Sequence, residues 1–418
     1  MKTAIVILNW NGEDFLRRFL PGLVESVRDY DAQVIIADNA STDGSLQYLK
    51  EFYPDLRTIV LDMNYGFTGG YNKAFDQIGD EAEYYLLINS DIEVQGDWLY
   101  PLEEWMDLHE DCGVCVPKLH SYTDRDRFEY AGAAGGMLDH FGYPFCRGRV
   151  LKRTEIDEGQ YDIPAEVMWG TGACLMVRSW LWHELGGFDE RFFAHMEEID
   201  LCWRVRLSGY KVNVVPRSLV WHVGGGTLPQ DSPRKLFLNY RNNLLMLRNN
   251  LAFTIALQNL YDVLSTQTDD MEVSTDGFLN CMEVYDSMSE FLQDKLLDAC
   301  IDDAISSAGL RIKVRLFLDW CSSVVYLFKG QKEYRKSVHD AHREYRALKS
   351  DIDKAGIREL LVNEVEQDCP AGRVFFDIDT GRKRKERVLL KGMIDQSIVL
   401  LEAAYKDDVF EYLRDITI

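Results

Sequence analysis

The chain has 418 residues, of which 46% are hydrophobic, and a formal net charge of −23 at pH 7. A chain of this length divides into two or three structural units, and its hydrophobic content excludes global disorder. The strong negative charge excludes nucleic-acid binding over the whole surface, so we expect no nucleic-acid partner.

The first 120 residues alternate between apolar, β-branched runs and stretches with helical periodicity. We predict strands at 3–8, 33–37, 57–61 and 84–88, and helices at 13–28, 41–52 and 69–77. This alternation predicts an α/β fold with a parallel sheet and crossover helices. In such sheets ligands bind at the carboxyl ends of the strands. From residue 112 to 223 the pattern is mixed, with short strands and a helix near 201–209.

The composition changes after residue 250. Residues 254–309 contain 12 acidic residues and one lysine, whereas residues 311–350 contain 10 basic and 4 acidic residues. We therefore predict a catalytic domain over 1–250, an acidic helical segment over 251–310, amphipathic basic helices over 311–350 and a charged α/β tail over 351–418. In the tail we predict a strand or hairpin at 373–380 and a helix at 388–405. The acidic segment suits an insertion, a partner surface or a homodimer contact.

The basic helices combine an apolar, aromatic stretch with the lysines and arginines that follow it. This pattern suits a helix on an anionic membrane surface, and it equally suits a helical hairpin packed on the catalytic domain. No run reaches the roughly 18 apolar residues of a membrane-spanning helix. The N-terminus has no secretory signal, and the nine cysteines are scattered. We therefore expect a cytoplasmic protein, either free or peripheral on the inner face of the cytoplasmic membrane.

Polar residues follow the predicted strands. A carboxylate at Asp38 can accept a bond from a ribose hydroxyl or a base N–H, although an Asx turn would use the same side chain. The glycine-rich turn at 64–72 feeds a helix whose N-terminus favours a phosphate, although an ordinary loop fits as well. Its candidate donor-binding residues are Asn64, Gly66, Gly70 and Asn72.

Acidic side chains supply candidates for a metal site and for a general base. Asp91 follows the fourth strand, where it can hold a hard divalent cation or belong to a turn. His222 is a lone histidine that can complete such a site. Glu197, Glu198 and Asp200 lie within four residues, among aromatic side chains. Crowding raises carboxylate pKa values, as a general base requires, while a solvated helix start is the alternative.

Seven stretches, taken in chain order, resemble the family 2 glycosyltransferases of the bacterial rhamnosyltransferase-like branch: IVILNWNG, VIIADNASTDGS, NYGFTGGYNKAF, LLINSDIEV, WGTGACLMVR, GGFDERFFAHMEEIDLCWRVRLSGY and VWHVGGGTL. The resemblance covers about residues 3–250. It implies a GT-A fold, a Rossmann-like, mostly parallel sheet flanked by helices, here followed by a mainly helical C-terminal region. It also implies inverting transfer from a dTDP- or UDP-linked sugar to a glycan or lipid-linked acceptor in surface polysaccharide synthesis.

The resemblance assigns roles to individual residues. Asp38 would contact the nucleoside, and Asn9 and Asn11 would line its pocket. Asn89 and Asp91 would stand at the DxD position, with His222 as a further metal or diphosphate contact. The sugar and acceptor face would comprise Trp169, Gly170 and Thr171, and the Glu-Asp motif would comprise Glu197 and Glu198.

The sequence departs from the family pattern at two of these positions. Asn89 replaces the first acid of DxD, which predicts weak binding of Mg²⁺ or Mn²⁺ without donor. Glu198 replaces the aspartate expected as the base, which leaves Glu197 and Asp200 as alternatives.

Two other functions stay open. A sugar nucleotidyltransferase uses a similar sheet and metal, but residues 9–12 contain no cation for a triphosphate. A nucleotide-sugar or glycan-binding protein without transfer activity would not need Asp38, Asp91 and the glutamate pair together. The sequence does not identify the donor sugar, the acceptor or the oligomeric state.

Overall fold

The computed structural model describes residues 1–139, 141–150, 153–224, 232–265, 285 and 288–366. The chain forms two compact units. The first comprises Met1–Met137, Phe145–Val205 and Lys211–Ser232, and the second comprises Leu138–Pro144, Arg206–Tyr210 and the chain from Pro233 onwards. The strand predicted at 373–380 and the helix predicted at 388–405 lie outside the described residues.

The first unit is built around one large sheet. Its strands are β1 (Thr3–Asn9), β2 (Ala32–Asp38), β3 (Arg57–Val60), β4 (Tyr84–Ile88), β5 (Ile92–Val94), β6 (Cys112–Ser121), β11 (Ala165–Glu166), β12 (Cys174–Arg178) and β13 (Lys211–His222). Their order is β11-β13-β6-β12-β4-β1-β2-β3, and β5 pairs with β13. A small second sheet has the order β10-β9-β8-β7, from β7 (Gly136–Leu138), β8 (Pro144–Cys146), β9 (Arg149–Val150) and β10 (Arg153–Thr154).

Helices flank the large sheet: α1 (Glu13–Ser26), α2 (Ser45–Phe52), α3 (Gly66–Ile78), α4 (Tyr100–Leu108), α5 (Ser179–Glu184) and α6 (Glu197–Leu207). Short 3-10 turns occur at Gly79–Glu81 and Glu190–Phe192. Helix α2 begins later than predicted because Asp43, just ahead of it, accepts a hydrogen bond from the Ser45 amide at 3.0 Å. The α/β prediction for this region is confirmed.

The parallel strands β1, β2 and β4 lie side by side and are almost wholly buried because apolar residues face both sides. Their register places Asn9 opposite Asp38 and Ile7 opposite Ile88, so their carboxyl ends meet at one edge. The sheet is nevertheless mixed, since β12 enters antiparallel between β4 and β6. Its first residue, Cys174, pairs with Ile88 and brings the preceding turn to that same edge.

The second unit is helical, as predicted for the C-terminal region, with α7 (Pro233–Ser265), α8 (Glu290–Phe328), α9 (Lys332–Leu348) and α10 (Lys354–Glu366). Inside it, Arg315 donates to Asp319 at 2.8 Å and stacks on Tyr143 at 3.6 Å. Helix α8 runs unbroken across residue 310, where we predicted a change of segment. In the described part of the chain, no helix is both long and apolar enough to cross a membrane.

Candidate functional site

The ends of β1 and β2 form a pocket from three of the predicted residues. Asn9 Nδ2 donates to Asp38 Oδ1 at 2.9 Å, and the Ser41 amide donates to Asp38 Oδ2 at 2.9 Å. Asn11 Oδ1 accepts from the Thr42 amide at 2.7 Å. Asp38 therefore closes an Asx-type turn and is buried. The structure brings Asn9, Asn11 and Asp38 together, and their contact with a nucleoside stays a prediction.

One atom of this pocket lacks a partner. Asn9 Oδ1 is buried and accepts no hydrogen bond from the residues that the structure describes. A Cβ placed on Gly12 would lie 2.5 Å from this oxygen and 3.5 Å from Ser90 Oγ. The β1–α1 loop thus approaches the turn that contains Asn89 and Asp91, and Asn9 Oδ1 offers an acceptor beside that turn.

Asp91 and His222 lie together because β5 pairs with β13, with Ile92 opposite His222. His222 Nε2 lies 3.2 Å from Asp91 Oδ1, and both side chains are buried. Burial alone would lower the pKa of His222, but the carboxylates of Glu129 and Asp91 outweigh it and raise that pKa to about 10. Burial opposes the ionisation of Asp91, yet the bond to His222 holds the pKa of Asp91 below its ordinary value.

Glu129 is a site residue that the sequence did not predict. Its Oε1 lies 3.4 Å from His222 Nδ1, and its Oε2 accepts from the Ala131 amide. A Cβ on Gly224 would lie 3.1 Å from Oε1, so this glycine leaves room for the carboxylate. A carboxylate at the second imidazole nitrogen is the usual means of orienting a metal-binding histidine. In the sequence, Glu129 is marked only by its position just before the glycine- and alanine-rich residues 131–136.

Asp91 and His222 are placed so that they could supply two of the ligands of a divalent cation. Two adjacent ligands that each lie about 2.1 Å from an octahedral ion are about 3 Å apart, and Asp91 Oδ1 and His222 Nε2 are 3.2 Å apart. Within the described residues, no group of three His, Cys, Asp or Glu side chains is arranged to hold a metal. The remaining ligands would therefore come from water or from a bound diphosphate.

Helix α6 begins with the carboxylates predicted as catalytic. Burial raises the pKa of Glu198 to about 7, and burial together with Glu198 raises the pKa of Glu197 well above its ordinary value. Both Oε2 atoms are buried without a hydrogen-bond partner in the described part of the chain. Asp200 differs, since its Oδ2 accepts from Arg204 Nε at 2.9 Å. A solvated helix start is therefore not what the structure shows, and Asp200 belongs to an ion pair.

The glycine-rich turn at the start of α3 makes its close contacts within the protein, and its contact with the donor stays a prediction. The first amides of α3, those of Phe67 and Thr68, donate to the Phe193 carbonyl at 2.7 and 3.2 Å. A Cβ on Gly66 would lie 2.5 Å from the Phe193 ring, and one on Gly70 would lie 2.7 Å from a Leu8 methyl group. These glycines therefore permit close packing within the protein.

The asparagines of this motif are also used within the protein. Asn64 Oδ1 accepts from the Gly66 amide at 2.8 Å. Asn72 exchanges hydrogen bonds of 2.9 Å with the Phe188 carbonyl and amide. Asn64, Gly66, Gly70 and Asn72 thus position neighbouring loops in this structure.

The predicted sugar and acceptor face lies between these parts. Trp169 Nε1 donates to the Met137 carbonyl at 2.9 Å, and Thr171 Oγ1 accepts from the Ala173 amide at 3.2 Å. A Cβ on Gly170 would lie 2.3 Å from Val116, so this residue too is tightly packed. All three predicted residues are buried, and they belong to the turn that precedes β12.

The turn connects the two halves of the site. The Ala173 carbonyl accepts from the Asn89 amide at 2.9 Å, and a Cβ on Gly172 would lie 3.6 Å from Glu198 Cβ. The residues between Thr171 and Cys174 therefore link the start of α6 to the turn that contains Asp91.

Similarity to known proteins covers the same region. Residues 4–172 match the model of glycosyl transferase family 2. The N-acetylglucosaminyl-diphospho-decaprenol L-rhamnosyltransferase of Mycobacterium tuberculosis is 26% identical over 259 residues, 58% of this chain and 83% of the relative. Rhamnosyltransferase WbbL of Escherichia coli is 25% identical over 224 residues, 51% of this chain and 80% of the relative.

Two solved structures are also similar. GalNAc-T7 with UDP, GalNAc and Mn²⁺ is 17% identical, with 59% of this chain and 47% of that chain covered, at a TM-score of 0.47. TarS 1-349 of S. aureus in complex with UDP-GlcNAc is 15% identical, with 83% and 92% covered, at a TM-score of 0.43.

Proposed function

Because residues 4–172 match the model of glycosyl transferase family 2 and the relatives are rhamnosyltransferases, we propose that this chain is an inverting enzyme that transfers a sugar from a nucleotide diphosphate to an acceptor hydroxyl. One observation carries the proposal. The turn before β12 has Glu198, a carboxylate with a pKa near neutrality, on one side and the Asp91–His222 pair on the other.

Each part of this arrangement has a task in a single displacement. Glu198 takes the proton from the acceptor hydroxyl while the acceptor oxygen attacks the anomeric carbon of the donor sugar. The bond from that carbon to the diphosphate oxygen breaks at the same time. Attack opposite the leaving group inverts the anomeric configuration. A divalent cation held by Asp91 and His222 would neutralise charge on the departing diphosphate. Asn9 and Asp38 hold the nucleoside.

Glu198 suits the role of base better than its neighbours. Glu197 is more deeply buried, and burial together with Glu198 raises its pKa well above the ordinary glutamate value. Asp200 is paired with Arg204. Glu198 is partly exposed and has a pKa of about 7, so near neutral pH a large fraction is ionised and able to accept a proton.

The decisive experiment is the Glu198→Gln variant, assayed for transfer of radiolabelled sugar and for donor binding by calorimetry. We expect transfer to fall by at least 1,000-fold, within the range of about 10²–10⁴ for a general base, while donor affinity changes less than about twofold. Glu184→Gln, an exposed glutamate on α5, is the matched control. Full turnover by Glu198→Gln would contradict the assignment of the base.

The donor and the acceptor are proposed from the relatives. Both rhamnosyltransferases make a dTDP- or UDP-linked sugar the first donor to test, and the mycobacterial name points to a diphosphate-linked lipid acceptor. We therefore propose a role in bacterial surface polysaccharide or lipid-linked glycan synthesis. Thermal shift with a panel of nucleotide sugars, with and without Mn²⁺, identifies the donor. Binding without transfer for every donor and acceptor tested would favour a non-catalytic binding protein.

A lipid-linked acceptor requires access to a membrane, and α8 has a face that suits this. Between Leu310 and Phe328 the exposed residues are Leu310, Val314, Phe317, Trp320, Leu327, Phe328 and a single charged residue, Lys313. Exposed cations follow at once, namely Lys329, Lys332, Arg335 and Lys336. An apolar face bordered by cations complements an anionic lipid surface. We propose that this face binds the inner surface of the cytoplasmic membrane peripherally.

Flotation with vesicles tests the membrane contact. We expect binding to phosphatidylglycerol vesicles, weaker binding to phosphatidylcholine vesicles, and loss of binding in the double variant Phe317→Ser/Trp320→Ser, whose residues are 59% and 51% exposed. Phe291→Ser/Leu292→Ser, at 69% and 54% exposure on the acidic end of the same helix, is the control. Equal flotation of both double variants would contradict the proposal. A change in mass by light scattering without flotation would instead identify the face as a homodimer contact.

A further inference from the structure

Helix α6, which carries the proposed base Glu198, follows a turn with an unusual backbone. Phe193, His195 and Met196 have φ angles of 64°, 71° and 73°. This left-handed region is unfavourable for residues with side chains, and three such residues within four positions are rare. A turn of this kind persists only if the surrounding structure holds it.

The glycine-rich turn at the start of α3 supplies that hold. The amides of Phe67 and Thr68, which no intrahelical carbonyl can satisfy, donate to the Phe193 carbonyl at 2.7 and 3.2 Å. Gly66 has a φ of 71°, and a Cβ there would lie 2.6 Å from the same carbonyl oxygen. The contact therefore requires a residue without a side chain at position 66.

The glycine-rich turn is itself anchored to the sheet. Asn39, buried just after β2, donates to the Gly66 carbonyl at 2.9 Å and accepts from the Tyr65 amide at 2.9 Å. Asn64 Oδ1 accepts from the Gly66 amide at 2.8 Å. A continuous set of bonds thus runs from the end of β2 through Gly66 to Phe193 and the start of α6.

We propose that the turn over residues 64–68 positions the base: it holds the strained turn at 193–196 so that Glu198 is presented beside Gly172. The inference rests on the proposed function of Glu198. Displacement of the Phe193 carbonyl would move the start of α6, and with it the proton acceptor, while the nucleoside pocket at Asn9 and Asp38 would keep its own bonds.

Gly66→Ala tests this, with Gly79→Ala as the matched control. Gly79 directly follows α3 and has a φ of 55°, so alanine there is strained just as it is at position 66. A Cβ at Gly79 would lie within 4 Å of no other described part of the protein, so the control adds strain without a steric clash. We expect Gly66→Ala to lower kcat roughly 10- to 100-fold, the effect of misplacing a reacting group by about 1 Å. We expect KM and Kd for the donor to change less than about twofold, and Gly79→Ala to keep the parent kcat.

A pH profile separates positioning from general destabilisation. If Gly66→Ala moves Glu198 away from the surroundings that raise its pKa, the acidic limb of the kcat profile shifts towards the ordinary glutamate range, whereas a loss of folded protein alone lowers kcat equally at every pH. Asn64→Ala removes the bonds that Asn64 Oδ1 accepts from the Gly66 amide and from Asn39 Nδ2 but adds no Cβ against Phe193. It should give a smaller loss of kcat of the same kind, and it covers the case in which Gly66→Ala fails to fold.

Three results would overturn the inference: a kcat for Gly66→Ala equal to that of Gly79→Ala, a loss of donor affinity as large as the loss of kcat, or an unshifted pH limb. The second would restore the phosphate-binding interpretation of the motif. If Glu198→Gln keeps full turnover, the proposed base is wrong. If Glu198→Gln is inactive while Gly66→Ala behaves as the control, the positioning inference alone is wrong.

Discussion

We expect Glu198 to lower the free energy of unfolding at alkaline pH and Glu198→Gln to restore it. The glutamine keeps the size and shape of the side chain but cannot ionise. The folded protein holds the pKa of Glu198 at about 7, whereas the ordinary glutamate pKa is 4.5. The two side chains are therefore nearly equivalent at acidic pH and differ strongly at alkaline pH.

The sign and size follow from proton linkage. Because the folded state binds this proton more tightly than the unfolded chain does, its contribution to stability is full below about pH 4.5 and is lost as the pH rises through 7. Because Glu198 ionises more readily in the unfolded chain, it lowers the free energy of unfolding by about 1 kcal/mol at pH 5 and by about 3 kcal/mol at pH 8, relative to acidic pH. Because Glu198 is partly exposed, solvent screening reduces the expected effect at pH 8 to about 2 kcal/mol.

Urea unfolding at pH 5 and pH 8 measures this difference, with Glu184→Gln as an exposed control. We expect Glu198→Gln to be within about 1 kcal/mol of the parent at pH 5 and about 2 kcal/mol more stable at pH 8. The same pKa predicts that transfer by the parent at saturating donor rises about tenfold from pH 6 to pH 8. A variant whose stability relative to the parent is the same at both pH values would refute the reasoning.

Three further substitutions probe the surroundings of the site. Arg204→Ala takes the guanidinium partner from a fully buried aspartate, and we expect a loss of about 3 kcal/mol in urea unfolding. Gly136→Ala would place a Cβ 1.9 Å from the Trp169 ring, which should cost about 1–3 kcal/mol and lower the melting temperature. Glu129→Ala should weaken Mn²⁺ binding about 10-fold or more in the presence of UDP, because the carboxylate no longer orients His222; unchanged affinity by electron paramagnetic resonance would contradict this.

The meeting of Asn9 and Asp38 was predictable because the periodicity of the strands shows where each of them ends. Parallel strands of similar length end at one edge, so polar residues that terminate β1 and β2 must meet there. The register of Asn9 opposite Asp38 is the result. The same reasoning did not reveal β12, because an apolar run has the same pattern whether it joins a sheet parallel or antiparallel.

The packing of the glycine-rich motif against the Phe193 carbonyl was not predictable in the same way. A turn that approaches a phosphate and a turn that approaches a carbonyl oxygen both need glycine and free amides. The oxygen that occupies this one belongs to Phe193, far along the chain. Glu129 was missed for a related reason: its role depends on His222, and no local pattern indicates that pair.

Charge patterning also misled the division of the C-terminal region. The acidic and basic segments differ in net charge, but α8 crosses between them without a break. Its buried face is continuous, with Leu297, Ile301, Ala304, Ala308 and Ile312 at helical spacing. Exposed charge varies freely along a helix whose packing is decided on the opposite face, so a change of charge does not mark the end of an element.

The start of α6 places three acids in different environments. Consecutive side chains on a helix point about 100° apart, so Glu197 and Glu198 face different surroundings, whereas Asp200, three residues after Glu197, lies on nearly the same face as Glu197. Asp200 faces Arg204 one turn later and is held as part of an ion pair. Glu197 is buried, and burial and then the neighbouring Glu198 raise its pKa well above its ordinary value. Of the three, Glu198 combines a raised pKa with partial exposure, which is why we propose it as the base where composition alone left three candidates.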